Sequence, residues 1–236
     1  MTCASPNKKQ EGGRGHNSMP KRAAFITTGQ TPRDDIVPEL RTMIGHSVDI
    51  VELGALDGLP PDDIAMLQPS DNEQLVTRLR TGAEAVVGKA WIKTQLQLLL
   101  DELTGEDFVF KLVLCTEQLG PLRSEGVLLE AHRLVNHGVE AIASNLSSLG
   151  VIVPLASQVD AINRRRRQGR RVITTHASPY MPGGLEEAAK TLRQADLIVM
   201  DCMGYTEAMR ETVANASGRP VLLARRLVAA AVRQLL

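Results

Sequence analysis

Residues 197–206 read LIVMDCMGYT, and this stretch decides the fold class. Four apolar residues without polar alternation are typical of a strand that is buried on both faces of a parallel sheet. An acid, a thiol and a glycine follow before a helical pattern that begins at Thr206. We therefore expect a strand over residues 197–201 and a helix over residues 206–214, which together form the repeating unit of an α/β fold.

The same unit recurs along the rest of the chain. Further apolar runs predict strands over residues 23–28, 48–53, 110–115, 148–154, 172–175 and 220–224. Helical patterns cover residues 34–44, 71–79, 91–103, 125–147, 158–168, 184–194 and 225–236. Residues 79–91 contain a Thr-Gly turn between short alternating runs, which predicts a hairpin. The alternation of strand and helix predicts an α/β architecture with parallel strands.

Composition narrows the partners that we expect. Lys+Arg and Asp+Glu are equal at 27 each, so no net field favours nucleic acid or an anionic membrane. The chain has only one Trp, two Tyr and three Phe to stack on single-stranded nucleic acid. It has neither an apolar run of about 20 residues nor a signal-peptide pattern, so we expect a cytoplasmic protein that binds neither nucleic acid nor membrane. The three cysteines are expected to be free thiols.

The polar, Gly-rich residues 1–21 predict a disordered N-terminal tail. Met19 is an alternative start, which would leave Cys3 outside the chemistry. At the other end, the apolar residues 227–236 fit either the core or a homo-oligomer interface.

Ligands of open parallel sheets bind beyond the carboxyl ends of the strands, so the residues found there are the candidates for chemistry. They are residues 28–33, 115–117, 176–178 and 201–206. Two of the three cysteines, Cys115 and Cys202, end strands that are far apart in the chain. They are therefore candidates for two thiols that face each other across a cleft.

A thiol that precedes a helix lies near unpaired N–H groups, which lower its pKa. We expect Thr116 and Thr206 to cap such helices, with Glu117 and Glu207 in the first turns. The alternative is that both cysteines are inert packing, since free cysteine is among the most buried residue types.

Three stretches together resemble the AroM family: FITTGQTPR at 25–33, LRTG at 79–82 and VMDCMGY at 199–205. The similarity runs from about residue 22 to the C-terminus. It implies an aspartate/glutamate racemase-like fold with two similar parallel-sheet βα halves and an active site in the cleft between them. We assign residues 22–125 and 215–236 to the first half and residues 126–214 to the second. In that superfamily each half offers one cysteine to opposite faces of a carboxylate, while single-cysteine members act as decarboxylases or isomerases.

The resemblance implies a cofactor-independent racemase or epimerase acting on an amino acid or related small carboxylate. One of Cys115 and Cys202 would remove the Cα proton while the other delivers one, with Asp201 and His176 poising the thiols. The expected substrate-binding residues are Thr28, Gly29, Gln30, Thr31, Arg33, Thr116, Gly204, Tyr205 and Thr206. Arg33 either pairs a second substrate carboxylate or only occupies a helix start. Two alternatives remain open: a single-thiol lyase or isomerase that depends on Cys202, and a non-catalytic binding protein.

No metal or nucleotide cofactor is expected, because the sequence has no CxxC, HExxH, GxGxxG or P-loop pattern. The one concentrated charge run is Arg164–Arg167 with Arg170 and Arg171. We interpret it as a solvated helix end, with an anion or partner site as the alternative.

Overall fold

The computed structural model describes residues 21–69, 73–166 and 169–236. The strands are β1 (Lys21–Thr27), β2 (Val48–Gly54), β3 (Gln74–Arg78), β4 (Glu84–Gly88), β5 (Phe110–Val113), β6 (Leu128–Glu130), β7 (Ser148–Val153), β8 (Arg171–His176), β9 (Leu197–Met200) and β10 (Val221–Leu223). The helices are α1 (Val37–Ile44), α2 (Pro61–Ala65), α3 (Lys89–Glu102), α4 (Ala131–Ala143), α5 (Val159–Arg166), α6 (Leu185–Thr191), α7 (Glu207–Ser217) and α8 (Ala224–Arg233), and a short 3-10 helix (Ala156–Gln158) precedes α5. The predicted tail up to residue 20, with Cys3 and Met19, lies outside the described residues, as does Arg167.

Two parallel four-stranded sheets form the framework. The first has the strand order β2-β1-β5-β6, and the second has the order β8-β7-β9-β10. The two orders match position by position when β7, β8, β9 and β10 are taken as counterparts of β1, β2, β5 and β6. In both sheets the last strand runs directly into a helix, β6 into α4 and β10 into α8. The predicted α/β fold with two similar parallel-sheet βα halves is confirmed.

The two sheets share one core, because helices α1, α4, α5 and α8 lie between them. Phe25 and Leu112 of the first sheet belong to the same buried cluster as Val151 and Val199 of the second, together with Val135 of α4. The outer face of the first sheet packs against α2, α3 and the β3–β4 hairpin, and that of the second against α6 and α7. Among the described residues, no helix combines the length and apolar character that a membrane span needs.

Two predicted helices are wrong in part. Residues 74–78 form strand β3, which pairs antiparallel with β4, so the predicted hairpin exists but begins before residue 79. Pairing with β4 and burial of Leu75 and Val76 outweigh the helical pattern at 71–79. Residues 128–130 form strand β6, so the helix predicted from residue 125 begins only at Ala131.

The C-terminal segment connects the two halves. We placed residues 215–236 with the first half, whereas β10 hydrogen-bonds to β9 and so extends the second sheet. Helix α8, which follows β10, then packs against both α1 and α4.

Candidate active site

In each sheet the first two strands are added towards one edge and the later strands towards the other. Ligands of open α/β sheets bind at the point where the strand order reverses. In the first sheet this point lies between β1 and β5, and in the second between β7 and β9. Beyond these strand ends lie Thr28 and Cys115 on one side and Pro154 and Cys202 on the other. All four residues line a single cavity, so the two reversal points face each other.

The cavity measures about 30 Å³, which is room for about one water molecule. Seven of the predicted catalytic and substrate-binding residues line it: Thr28, Arg33, Cys115, Thr116, Asp201, Cys202 and Gly204. Residues that the sequence did not identify complete the wall, among them Ile36, Thr77, Pro154, Gln158 and Tyr180. The two thiols therefore line one cavity, as the sequence predicted, but part of the cavity wall consists of residues that the sequence did not predict.

Both thiols are neutral in this environment. Burial raises the pKa of Cys115 to about 12, and the charge of Glu117 adds to this effect. Burial raises the pKa of Cys202 to about 11, although the Gly204 N–H donates to its Sγ at 3.3 Å and the positive charge of Arg33 opposes the shift. The expectation that helix N-termini lower both pKa values is therefore wrong, because the loss of hydration outweighs the nearby N–H groups.

The segment after Cys115 is a loop and not a helix start, because β6 follows at residue 128. Thr116 therefore caps no helix; its Oγ1 donates to the carbonyl of Asp201 at 3.1 Å and ties the two halves together. Glu117 lies in the same loop, where it accepts a hydrogen bond from Gln158 at 3.0 Å and pairs with Lys89 at 3.3 Å. Both residues link elements across the cleft.

Arg33 is 3% exposed and its guanidinium is already paired. Its Nε and Nη2 donate to the two carboxylate oxygens of Asp35 at 2.9 Å each, and Nη1 donates to Thr27 Oγ1 at 2.5 Å. Nη2 also donates to the hydroxyl of Tyr180 at 3.2 Å. Burial alone would lower the pKa of Arg33, but Asp35 and Tyr180 outweigh it and hold the pKa above its ordinary value. A second substrate carboxylate would have to displace Asp35.

Asp201 is held by the basic run. Arg166 Nη2 donates to its Oδ2 at 2.8 Å and Arg165 Nη2 at 3.3 Å. Arg166 is 1% exposed, and Arg170 is also buried and pairs with Glu140. The interpretation of this run as a solvated helix end is wrong for Arg166 and Arg170, because both side chains are buried and pair with carboxylates, Arg166 with the buried Asp201 and Arg170 with the partly exposed Glu140. The run anchors α5 to the end of β9.

Three predicted residues after β1 do not line the cavity but contact the β3–β4 hairpin or the loop after β2. A Cβ on Gly29 would lie 2.3 Å from the carbonyl oxygen of Arg78, so only glycine lets the hairpin pack here. Gln30 accepts from the Arg80 N–H at 3.0 Å, and Thr31 Oγ1 donates to Asp57 at 2.6 Å. These contacts fix the loop that precedes Arg33.

Three predicted residues of the second half also lie outside the cavity wall. The Tyr205 hydroxyl is buried and donates to the carbonyl of Ala177 at 2.7 Å. Thr206 caps α7 as expected, with its Oγ1 accepting from the Met209 N–H at 3.3 Å. His176 is exposed at the end of the edge strand β8. Of these three side chains, only Tyr205 lies near a thiol, because Cys202 packs against the buried cluster that contains it.

The hairpin and the 3-10 helix close the cavity from outside. Thr28 and Thr77 share a hydrogen bond of 3.0 Å between their hydroxyls, and Ser157 Oγ donates to Gln74 at 3.2 Å. Beyond this contact and the Gln158–Glu117 hydrogen bond lies an outer cleft of about 890 Å³. These contacts between the halves separate the cavity from the outer cleft.

Tyr180 is the main site residue that the sequence did not identify. It lies four residues beyond His176, the last residue of β8, whereas the candidates chosen from the sequence were only residues that directly follow a strand. The loop turns back to the cavity because the Ser178 hydroxyl donates to Glu84 of β4 and accepts from the Tyr180 N–H at 3.1 Å. The position of Tyr180 thus depends on the contact between Ser178 and Glu84, which belong to different halves of the molecule, so the sequence alone does not predict it.

No group of three or more His, Cys, Asp or Glu side chains is arranged to hold a metal ion within the described ranges.

Comparisons with known proteins identify a family and a fold. A family model described as AroM protein matches residues 23–236. The search of curated proteins found no match to the sequence.

Several solved structures share the fold. Allantoin racemase from Klebsiella pneumoniae has a TM-score of 0.61 at 12% identity, with 91% of this chain and 87% of that chain covered. Maleate cis-trans isomerase from Nocardia farcinica has a TM-score of 0.58 at 14% identity, covering 91% and 92% of the two chains. Aspartate racemase from Picrophilus torridus has a TM-score of 0.55 at 11% identity, covering 91% and 93%. At these identities the likeness establishes the aspartate/glutamate racemase-like fold.

Proposed function

The chain belongs to the AroM family, and from this membership and the cavity geometry we propose that it is a cofactor-independent racemase or epimerase-like enzyme. Its substrate would be an amino acid or a related small carboxylate. The observation that carries the proposal is that Cys115 and Cys202, which follow matching strands of the two sheets, line one cavity. The solved structures of similar fold include racemases and an isomerase, which supports this class of reaction.

The reaction needs a base on one face of the substrate carbon and an acid on the other. A thiolate takes the proton from the carbon beside the carboxylate, and the C–H electron pair moves into the carboxylate to form an enediolate. The second thiol then donates its proton to the opposite face, and the electron pair returns to the carbon. Two thiols and no cofactor complete the inversion.

For the enantiomer whose Cα proton points towards Cys202, we assign Cys202 as the base. Its pKa of about 11 is lower than the value of about 12 for Cys115. The Gly204 N–H and the positive charge of Arg33 both favour the thiolate of Cys202 and outnumber the opposing charge of Asp201. At Cys115 the backbone N–H of Glu117 favours the thiolate, whereas the carboxylate of Glu117 opposes it. Cys115 then serves as the acid, and the roles are exchanged for the opposite enantiomer.

The substrate carboxylate needs hydrogen-bond donors that stay fixed during the reaction. Thr28 and Thr77 share one hydrogen bond between two hydroxyls, so one hydroxyl hydrogen of the pair is left for a ligand. Thr116 is less suitable, because its hydroxyl already donates to the carbonyl of Asp201. We therefore assign carboxylate binding to the Thr28–Thr77 side of the cavity.

The hydrogen bond from the Gly204 N–H to Cys202 Sγ also favours a second candidate, a lyase or isomerase that uses this thiol alone. Such an enzyme would form its thiolate at Cys202 and would tolerate replacement of Cys115. A third candidate is a protein that binds a carboxylate without turning it over.

One assay separates these candidates. Both enantiomers of aspartate, glutamate, alanine, serine and proline are incubated in deuterated water with the native chain, and deuterium at Cα is measured by NMR. Cys115→Ser and Cys202→Ser are each expected to abolish inversion, while Cys3→Ser controls for loss of a thiol.

Product formation that survives Cys115→Ser would favour the single-thiol enzyme. Binding without any exchange or product would favour the non-catalytic protein. Inversion that persists in both active-site variants would refute thiol chemistry altogether.

A further inference from the structure

Tyr180 lines the cavity with a hydroxyl whose hydrogen is unused. The hydroxyl oxygen accepts a hydrogen bond from Arg33 Nη2 at 3.2 Å, across the boundary between the two halves. Within the described residues, the hydroxyl donates to no protein group. A phenol can both donate and accept, so its hydrogen is available to a molecule in the cavity.

Gly204 determines where this hydroxyl sits. A Cβ at position 204 would lie 2.6 Å from the Tyr180 hydroxyl oxygen and 2.7 Å from Cγ of Pro179. The tyrosine therefore packs directly on the loop that follows Cys202. The N–H of the same Gly204 donates to Cys202 Sγ at 3.3 Å. The hydroxyl and the proposed base are thus held by one short loop.

The surroundings make this hydroxyl a strong donor. A hydrogen bond received from a charged guanidinium draws electron density from the phenol oxygen and polarises its O–H bond. Arg33 is itself fixed by the two hydrogen bonds to Asp35, so the charge stays in place. Burial raises the pKa of Tyr180, with the nearby Cys202 adding to the effect, so the phenol keeps its proton at neutral pH.

We propose that Tyr180 is a catalytic residue whose hydroxyl donates a hydrogen bond to the substrate carboxylate as negative charge develops on its oxygens. This inference rests on the proposed proton transfer between the two thiols. When the Cys202 thiolate takes the Cα proton, the C–H electron pair enters the carboxylate, and the Tyr180 hydroxyl stabilises the resulting enediolate without giving up its proton. When Cys115 protonates the opposite face, the charge leaves the oxygens and the hydrogen bond weakens to its starting strength.

Ser217 of α7 offers a control, because its buried hydroxyl donates to the carbonyl of Val213 and does not line the cavity. Tyr180→Phe removes the hydroxyl in the cavity, and Ser217→Ala removes a buried hydroxyl outside it. For the carboxylate that exchanges fastest, Tyr180→Phe is expected to lower kcat by about 10²–10³-fold with little change in KM. Ser217→Ala is expected to leave turnover per folded molecule unchanged.

A binding measurement separates a donor role from a structural one. Pyrrole-2-carboxylate is planar at the carbon beside the carboxylate and resembles the enediolate, whereas L-proline is tetrahedral there. Tyr180→Phe is expected to weaken calorimetric binding of pyrrole-2-carboxylate at least about tenfold more than that of L-proline, because transition-state analogues use interactions that substrates lack. Equal weakening of both ligands, or an unchanged kcat, would overturn the proposal.

Failure of the proposed reaction gives a different pattern from failure of this inference. If the native chain exchanges no carboxylate but binds pyrrole-2-carboxylate through Tyr180, the hydroxyl is an anion donor and the reaction is refuted. If the native chain neither exchanges nor binds, both are refuted. If Tyr180→Phe does not fold, the native chain labelled with 13C at the tyrosine Cζ tests the same donor: pyrrole-2-carboxylate is expected to shift the Tyr180 signal more than L-proline does, and equal shifts would overturn the proposal.

Discussion

Raising the pH should accelerate the reaction steeply, because the resting thiols are neutral. With a pKa of about 11 for Cys202, only about one molecule in a thousand carries the thiolate base at pH 8. Each unit of pH multiplies this fraction by about ten, so kcat/KM is expected to rise about 100-fold between pH 7 and pH 9. The acid Cys115, with a pKa of about 12, stays protonated over the whole range.

The assay is deuterium exchange at Cα measured at closely spaced pH values, with far-UV circular dichroism at each pH to confirm that the fold is intact. Glu117→Gln provides a comparison, because removing this carboxylate lowers the pKa of Cys115 rather than that of Cys202 and should leave the rising limb in place. A rate that levels off below pH 8 would refute the reasoning, since it would require a base that is already ionised at neutral pH.

Three further predictions concern stability and access. Arg166→Met should lower the free energy of unfolding in urea by about 3–5 kcal/mol, because it leaves the buried charge of Asp201 poorly compensated, whereas exposed Arg164→Met should change it little. A loss below about 1 kcal/mol would contradict a structural role for this ion pair. Gln158→Ala removes the hydrogen bond to Glu117 between the cavity and the outer cleft. Iodoacetamide should therefore alkylate the two cavity thiols up to about five times faster. The control Gln97→Ala on α3 should not change this rate. The folded pKa values of the two buried thiols, about 11 and 12, exceed the value of 9.0 for a free thiol. Above pH 9 the unfolded chain therefore loses these protons first, and the free energy of unfolding should fall as the pH rises. The expected slope is about 1.4 kcal/mol per pH unit for each thiol, and a flat stability curve between pH 9 and pH 10.5 would show that they are hydrated.

The fold could be predicted from the sequence because its signals are local. Apolar runs without alternation mark the buried central strands, as in residues 197–200, and the residues that follow them mark the sheet edge. Strand β3 could not be recognised in this way, because its identity depends on pairing with β4. Strand β6 has only three residues and runs directly into α4, so its apolar positions were absorbed into the helical pattern.

The candidate site was predictable only as far as strand ends define it. Both cysteines follow central strands, and their convergence on one cavity follows from the matching strand orders. Their raised pKa values were not predictable, because burial depends on the hairpin that covers them. Tyr180 and Arg166 escaped detection for a related reason: the contacts of Tyr180 with Arg33 and of Arg166 with Asp201 join residues remote in sequence.

The most direct test of the account is a crystal structure of the native chain with pyrrole-2-carboxylate. The planar carbon beside the carboxylate is expected to lie between the sulfur atoms of Cys115 and Cys202, with one sulfur on each face at about 3–3.5 Å. A ligand held in the outer cleft, or one with both sulfur atoms on the same face, would contradict proton transfer between the two thiols.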